Sequence, residues 1–312
     1  MSIALSLLVA LLLDYWFKEP KRFHPLVGFG NMASLLEKRF NLNDKKGGVI
    51  AWCLAVLPWV FLGFLLQYSL LDMPVLMAVV AGVVLYFGLG WQSLLSHGMA
   101  IAEPLKRGDL QAARQAVSMI VSRDTSELEE EAIASAATES VLENGADAIF
   151  SALFWFCLLG IPGVILYRLS NTLDAMWGYK NTRYVQFGWC AARIDDLLNF
   201  VPARLTAASY ALLGDTAIAI KAWREQGRIW KSPNAGPVMA SGAGAINVSL
   251  GGAAIYHGEL QQRPALGPET GDKPSAESIK LACELVNRVL IFWVVLIYVV
   301  TAVFVSVQST SL

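Results

Sequence analysis

The residues best suited to chemistry are acids spaced along helices, with amides and cations close by. Glu139, Glu143 and Asp147 recur every four residues with Asn144 beside them, which places three carboxylates on one helix face. A solvated stripe would normally interleave Lys or Arg at this spacing to relieve repulsion, and none stands between Glu127 and Asp147. Such a face suits Mg²⁺, which takes oxygen ligands and keeps waters beside substrate phosphates. A second acidic group, Asp195-Asp196, is bracketed by Arg193 and Arg204, and Asn199 shares a helix face with Asp195. Adjacent acids at the lip of an apolar segment need a cation, so a metal or an ion-pair network is expected.

Anion-binding candidates alternate with these acids. Asn171-Thr172-Leu173-Asp174 leads to Gly178-Tyr179-Lys180 and Arg183, two cations next to a tight glycine. Ser122-Arg123-Asp124-Thr125 precedes Glu127, Glu129, Glu130 and Glu131, the pattern of a helix N-terminus; capping accounts for the acids but not for Arg123. Glu19-Pro20-Lys21-Arg22-Phe23-His24-Pro25 is a basic turn framed by prolines, and Ser232-Pro233-Asn234-Ala235-Gly236 is turn chemistry close to Arg228 and Lys231. For each group a structural alternative stays open: a solvated stripe, a helix cap or a basic loop. No GxxxxGK[ST] loop and no GxGxxG after a strand is present, so a nucleotide would be held by other means.

The elements that position these residues are read from apolarity. Of 312 residues, 55% are hydrophobic and 16% charged, with a mean hydropathy of +0.50. A soluble domain carries about 25% charge. The apolar residues are gathered into long runs, so the expectation is an all-α, polytopic integral membrane protein forming one domain over residues 1–312. Its partner is the lipid bilayer. The net charge of −1, with 24 Lys+Arg against 25 Asp+Glu, argues against nucleic-acid binding. The four cysteines and three histidines are scattered, which indicates neither a disulfide framework nor a zinc site. The apolar N-terminal run lacks a basic lead and a small-residue cleavage motif, so no cleaved signal peptide is expected.

Val49 to Leu71, Pro74 to Leu95 and Val289 to Val307 meet the requirement of about 20 apolar residues per span. The first two are joined by Asp72-Met73 and form a hairpin. The loop from Asp14 to Gly48 is rich in Lys and Arg, which places it, and Ser96 to Asp147 with it, in the cytoplasm. Ala148 to Leu169 is interrupted by Gly160-Ile161-Pro162-Gly163, which admits a re-entrant hairpin. Leu197 to Ile220 is apolar but contains Pro202, Arg204 and Asp215. Helices and loops account for the whole chain, with no strand-like alternation.

Taken in order, Asp14…Glu19-Pro20…His24-Pro25, Ile120-Val121-Ser122-Arg123-Asp124-Thr125, Glu139 to Asp147, Asn171 to Lys180, Ala192-Arg193-Ile194-Asp195-Asp196…Pro202-Ala203-Arg204-Leu205 and Ser232 to Gly236 resemble the CobD/CbiB family. The resemblance runs from about Asp14 to Gly252. It implies a membrane-bound adenosylcobinamide-phosphate synthase of cobalamin biosynthesis, which joins adenosylcobyric acid to aminopropanol phosphate as an amide using ATP and Mg²⁺, with other cobalamin-assembly membrane enzymes as further partners. Phosphoryl transfer to a carboxylate needs metal-holding acids and cationic clamps. The metal candidates are Glu139, Glu143, Asp147, Asp195 and Asp196. Arg123, Asp124, Lys180, Arg193 and Arg204 are the catalytic candidates. His24, Asn144, Asn171, Thr172, Asp174, Arg183, Ser232 and Asn234 are the substrate-binding candidates.

Departures from the family pattern fall at Leu26-Val27-Gly28-Phe29 and Pro237-Val238-Met239, apolar or turn positions that bear on corrinoid contacts. The alternative is an AmpE-like inner-membrane sensor of the same fold, against which the retained acids and Lys180 argue. A membrane alcohol phosphotransferase would need a DxxxD ending that Asp195-Asp196 with Asn199 does not supply.

Overall fold

The structure is a computed structural model; it describes residues 3–20, 24–121, 124–252, 254–256, 259–261 and 263–310. The elements in chain order are α1 (Ile3–Phe17), α2 (Pro25–Phe40), α3 (Lys45–Ser69), α4 (Pro74–Gly88), α5 (Trp91–Lys106), α6 (Leu110–Ser118) and α7 (Glu130–Gly145), then a π-helical turn (Ala146–Phe150). There follow α8 (Ser151–Leu159), α9 (Ile161–Trp177), α10 (Trp189–Leu213), α11 (Thr216–Gln226), α12 (Ala235–Ala245), four short strands β1 (Leu250–Gly251), β2 (Ala254–Tyr256), β3 (Glu259–Gln261) and β4 (Ala265–Leu266), and α13 (Ala276–Thr310). The expected helical membrane protein is what forms. Among the described residues, four helical runs are long and apolar enough to cross a bilayer: Lys45–Ser69, Pro74–Lys106, Glu130–Leu159 and Ala276–Val303.

One sequence expectation is met and two are corrected. The apolar stretch from Ala148 to Leu169 divides at Gly160: its first half completes the long run that begins at Glu130, and its second half opens α9. Leu197 to Ile220 is not continuous either, because α10 ends at Leu213 and Asp215 caps α11 by accepting from the Ile218 amide at 3.0 Å. Strands do occur, as the antiparallel pairs β1–β4 and β2–β3. They lie in the Gly/Pro-rich region after α12, where no helix pattern competes.

The chain forms two compact units. The first comprises residues 1–90, 151–199 and 294–312. In it α1 packs on α4, and α3 packs on α9 with α2 beside both. Small residues permit the close approaches: Ala51 and Ala55 are fully buried in the core with Trp52, Trp177 and Phe187, and a Cβ at Gly63 would meet Ile165 at 2.7 Å. The α8–α9 hairpin turns at Gly160, whose φ of 71° is open to glycine and costly for other residues. Gln67 of α3 clamps the turn, accepting from Ile161 N at 2.8 Å and donating to Leu159 O at 3.4 Å.

The second unit comprises residues 91–150 and 200–293. Its α7 is buried along nearly its whole length, between α5 and α12. The small-residue run of α12 allows α11 to lie against it, and a Cβ at Gly244 would meet the Ala219 backbone at 2.7 Å. Gln226 of α11 makes two 2.8 Å bonds with the backbone of Gly267, tying the strand region down.

In the first unit, α2 begins with His24, whose Nδ1 accepts from the Leu26 amide at 3.2 Å, with Pro25 at the first helical position. This cap requires a neutral ring with its proton on Nε2. Burial lowers the His24 pKa below its ordinary 6.5, with the charge of Glu19 opposing and that of Arg168 reinforcing the shift. Because the folded value is depressed, the cap contributes fully above pH 6.5 and is lost as pH falls through the lower folded value. The melting temperature of the detergent-solubilised protein should therefore fall between about pH 7 and about pH 5, and His24→Asn, a cap that does not titrate, should flatten that slope. Equal slopes would remove His24 as the cause.

Candidate functional site

In the first unit the polar residues of α9 and α10 converge on one buried carboxylate. Asp195 accepts from Asn171 Nδ2 at 3.2 Å on Oδ1 and from Asn199 Nδ2 at 3.1 Å on Oδ2. Asn199 is fixed in turn, its Oδ1 accepting from Ser151 Oγ at 2.8 Å and from the Tyr167 hydroxyl at 3.0 Å. Burial pushes the Asp195 carboxyl above the usual carboxylate range; the two amide donors oppose this, the charge of Asp196 adds to it and that of Arg168 opposes it. Next door, Asp196 pairs with Arg193 at 3.0 Å across one helical turn. Of the two outcomes expected for adjacent acids, the hydrogen-bond and ion-pair network is the one visible.

The cations after α9 separate into two kinds. Arg183 is already engaged, its Nε donating to Glu37 Oε1 at 2.9 Å and its Nη2 to Oε2 at 3.1 Å. Glu37 is buried on α2, so the expected anion clamp instead ties this loop to that helix. Lys180 and Tyr179 are exposed. The tight glycine between α9 and Lys180 has a local cause: a Cβ at Gly178 would meet Asp174 Oδ1 at 2.0 Å. Thr172 Oγ1 donates to the Arg168 carbonyl at 2.8 Å and so serves the helix itself.

In the second unit Glu139 is not free for a metal. Arg263 Nη1 donates to its Oε2 at 2.6 Å and Nη2 to its Oε1 at 3.1 Å, while Oε1 also accepts from Ser135 Oγ at 3.0 Å and the Gly251 amide at 3.1 Å. The side chains of Glu139 and Arg263 are each 8% exposed. This buried bidentate pair holds β1 and the segment before β4 against α7. The four-residue spacing continues to Glu143, but Asp147 falls in the π-helical turn, where bonds run from i to i+5, so the one-face stripe ends there. Glu143, Asn144 and Asp147 are half-buried, and Asn144 donates to Ser140 O at 2.8 Å and Ser140 Oγ at 3.0 Å. Such π turns are frequent at functional sites.

Asp124 forms a turn. It accepts from Ser126 N at 2.9 Å and Ser126 Oγ at 2.8 Å, and these bonds hold its carboxyl below the usual range. Helix α7 accordingly starts at Glu130 and not near Ser122, because Asp124 and Thr125 spend their side chains on the preceding turn and on Arg114 O. Arg123 lies outside the described residues. Arg204 donates to Asn234 Oδ1 at 2.6 Å, to Pro233 O at 3.0 Å and to Phe200 O at 2.8 Å, and lies 3.7 Å over the Phe200 ring. It holds the turn that opens α12, where Ser232 Oγ accepts from the Ala235 amide at 3.1 Å.

Among the described residues no group of three or more His, Cys, Asp or Glu could hold a metal by itself. Mg²⁺ does not require one, since it is commonly bound through one or two carboxylates plus substrate phosphates. Glu37, Ser135, Arg168 and Arg263 are the participants that sequence reasoning missed. Arg263 is 124 residues from Glu139 in a loop region, so no local signal could pair them. Arg168 was visible as an ionisable residue near the end of an apolar run.

The family model described as CobD/Cbib protein matches residues 7–286. The chain belongs to the CobD/CbiB family. Among CobD/CbiB relatives, one named Cobalamin biosynthesis protein CobD from Stutzerimonas stutzeri is 58% identical over 290 residues, covering 92% of this chain and 94% of its own length. A protein of that name from Chromobacterium violaceum is 50% identical over 302 residues, covering 95% and 96%, and one from Mycobacterium tuberculosis is 39% identical over 288 residues, covering 90% of each chain. No solved structure matches the chain. The family assignment and the membrane helices agree with the expectation from the ordered motifs.

Removing one partner of a buried ion pair costs about 3–5 kcal/mol, because the other charge is left uncompensated. Glu139→Gln should therefore destabilise the protein by about 3 kcal/mol in denaturant titration of detergent micelles, and Glu139→Gln combined with Arg263→Met should recover part of that loss. An unchanged midpoint for the single variant would show that the pair carries little stability.

Proposed function

We propose that this chain is the ligase of cobalamin biosynthesis that joins the propionate carboxylate of adenosylcobyric acid to the amine of aminopropanol phosphate, consuming ATP with Mg²⁺ and giving adenosylcobinamide phosphate. The observation that supports this reading is the continuity of the family match, which takes in all the polar segments from His24 to Asn234, including the network at Asn171, Asp195 and Asn199. In the proposed reaction a carboxylate oxygen bonds to the γ-phosphorus as the bond to ADP breaks. The amine nitrogen then bonds to the acyl carbon, phosphate departs with the C–O electron pair, and the ammonium proton passes to solvent.

This chemistry asks the protein for positioning and charge neutralisation. Asp195 and Asp196 would hold Mg²⁺, which supplies neutralisation of phosphate charge when bound. Asn171 and Asn199 fix the orientation of Asp195, and Arg193 sets that of Asp196. Lys180 is exposed on the loop after α9 and would meet an anionic group from solvent. In the second unit Glu143 and Asp147, around the π turn, remain metal candidates, and Asn144 is the residue assigned to substrate. Arg183, Arg204 and Glu139 act through the turns and strands they hold, as positioning residues. The Lys- and Arg-rich segment from Asp14 to Gly48 supports a cytoplasmic site in a bacterial inner membrane, where ATP is available.

The protein purified in detergent should form adenosylcobinamide phosphate only when ATP and Mg²⁺ are both present. Asp196→Asn should lower turnover by about 100-fold at unchanged expression, and added Mg²⁺ should restore part of it. Full activity in a variant lacking both Asp195 and Asp196 would reject their role.

A further inference from the structure

A cavity of about 540 Å³ lies within the first unit, walled by α2, α3, α4 and α9. Its lining is apolar, including Phe29, Met32, Trp59, Phe87 and Ile165, with one charged side chain, Arg168. The size falls within the roughly 300–1,000 Å³ of small-molecule pockets, which combine apolar walls with a few orienting polar groups. Arg168 Nε is buried and has no hydrogen-bond partner among the described residues. An arginine in such surroundings is expensive unless an anion meets it. Asp195 lies near enough for its carboxyl to feel the Arg168 charge, yet both Asp195 oxygens already accept from asparagine amides.

Two walls, α3 and α4, belong to candidate membrane spans, and the lining residue Trp59 is 46% exposed, so the cavity opens on the apolar surface that a bilayer would cover. We infer that this cavity binds an anionic membrane phospholipid, one acyl chain against the apolar walls and a phosphate oxygen on the Arg168 guanidinium. A lipid of single negative charge suits the site better than a zwitterion, which would bring a second cation into an apolar space whose lining residues include no acid. This lipid is separate from the proposed substrates, and its binding does not depend on the ligase reading.

Native mass spectrometry of the full chain, delipidated in neutral detergent and then offered lipid, tests the site. Dioleoyl phosphatidylglycerol should be retained on the wild type, and dioleoyl phosphatidylcholine should be held about tenfold more weakly. Arg168→Gln should lower phosphatidylglycerol retention about tenfold, and Arg168→Lys by less. Gly28 lines the cavity and a Cβ there meets nothing within 4 Å, so Gly28→Leu should fill it and reduce retention with Arg168 intact. That second variant decides the matter where Arg168→Gln does not fold. Equal retention by wild type and Gly28→Leu, or no preference over phosphatidylcholine, would reduce the bound lipid to ordinary surface lipid and overturn the proposal. Displacement by millimolar inorganic phosphate would also overturn it, by assigning Arg168 to a soluble anion.

Discussion

Leaving a buried charge or polar group unmatched is costly in an apolar helical protein, and that constraint organises much of this molecule. Asp195 is acceptable because two asparagine amides meet its oxygens, and Asn199 is acceptable because Ser151 and Tyr167 meet its own. Glu139 is acceptable because Arg263, Ser135 and the Gly251 amide saturate it. Each arrangement reaches across distant parts of the chain within its own unit. The requirement to pair charge thereby becomes a device for fixing helices and loops that dispersion contacts alone would hold less specifically.

Fixed groups of this kind divide the polar residues by task. Arg183 with Glu37, Arg204 with Asn234, and Glu139 with Arg263 secure turns and strands. The pair Asp195-Asp196 lies on α10 with Arg193, and Lys180 is exposed on the loop before that helix. That division separates the residues that would meet reactants from those that hold them in place.

Much of this was legible beforehand because apolar length is a local property. The helices Lys45–Ser69 and Pro74–Gly88, the break at Gly160 and the capping role of turn residues all follow from short stretches of sequence. Where the reading failed, the deciding contact was remote or the backbone was irregular. Nothing near Glu139 announces Arg263, and nothing near Arg183 announces Glu37. The π turn at Ala146–Phe150 breaks a spacing rule that assumes an ideal helix, and Gly214-Asp215 interrupts a run that hydropathy alone would continue.

The account rests on a carboxylate activated by phosphoryl transfer. The direct measurement is the fate of oxygen-18 placed in the propionate carboxylate of adenosylcobyric acid during turnover by the purified chain with ATP and aminopropanol phosphate. The account predicts one labelled oxygen in the inorganic phosphate released for each amide formed. Label absent from phosphate, or found in AMP, would contradict it.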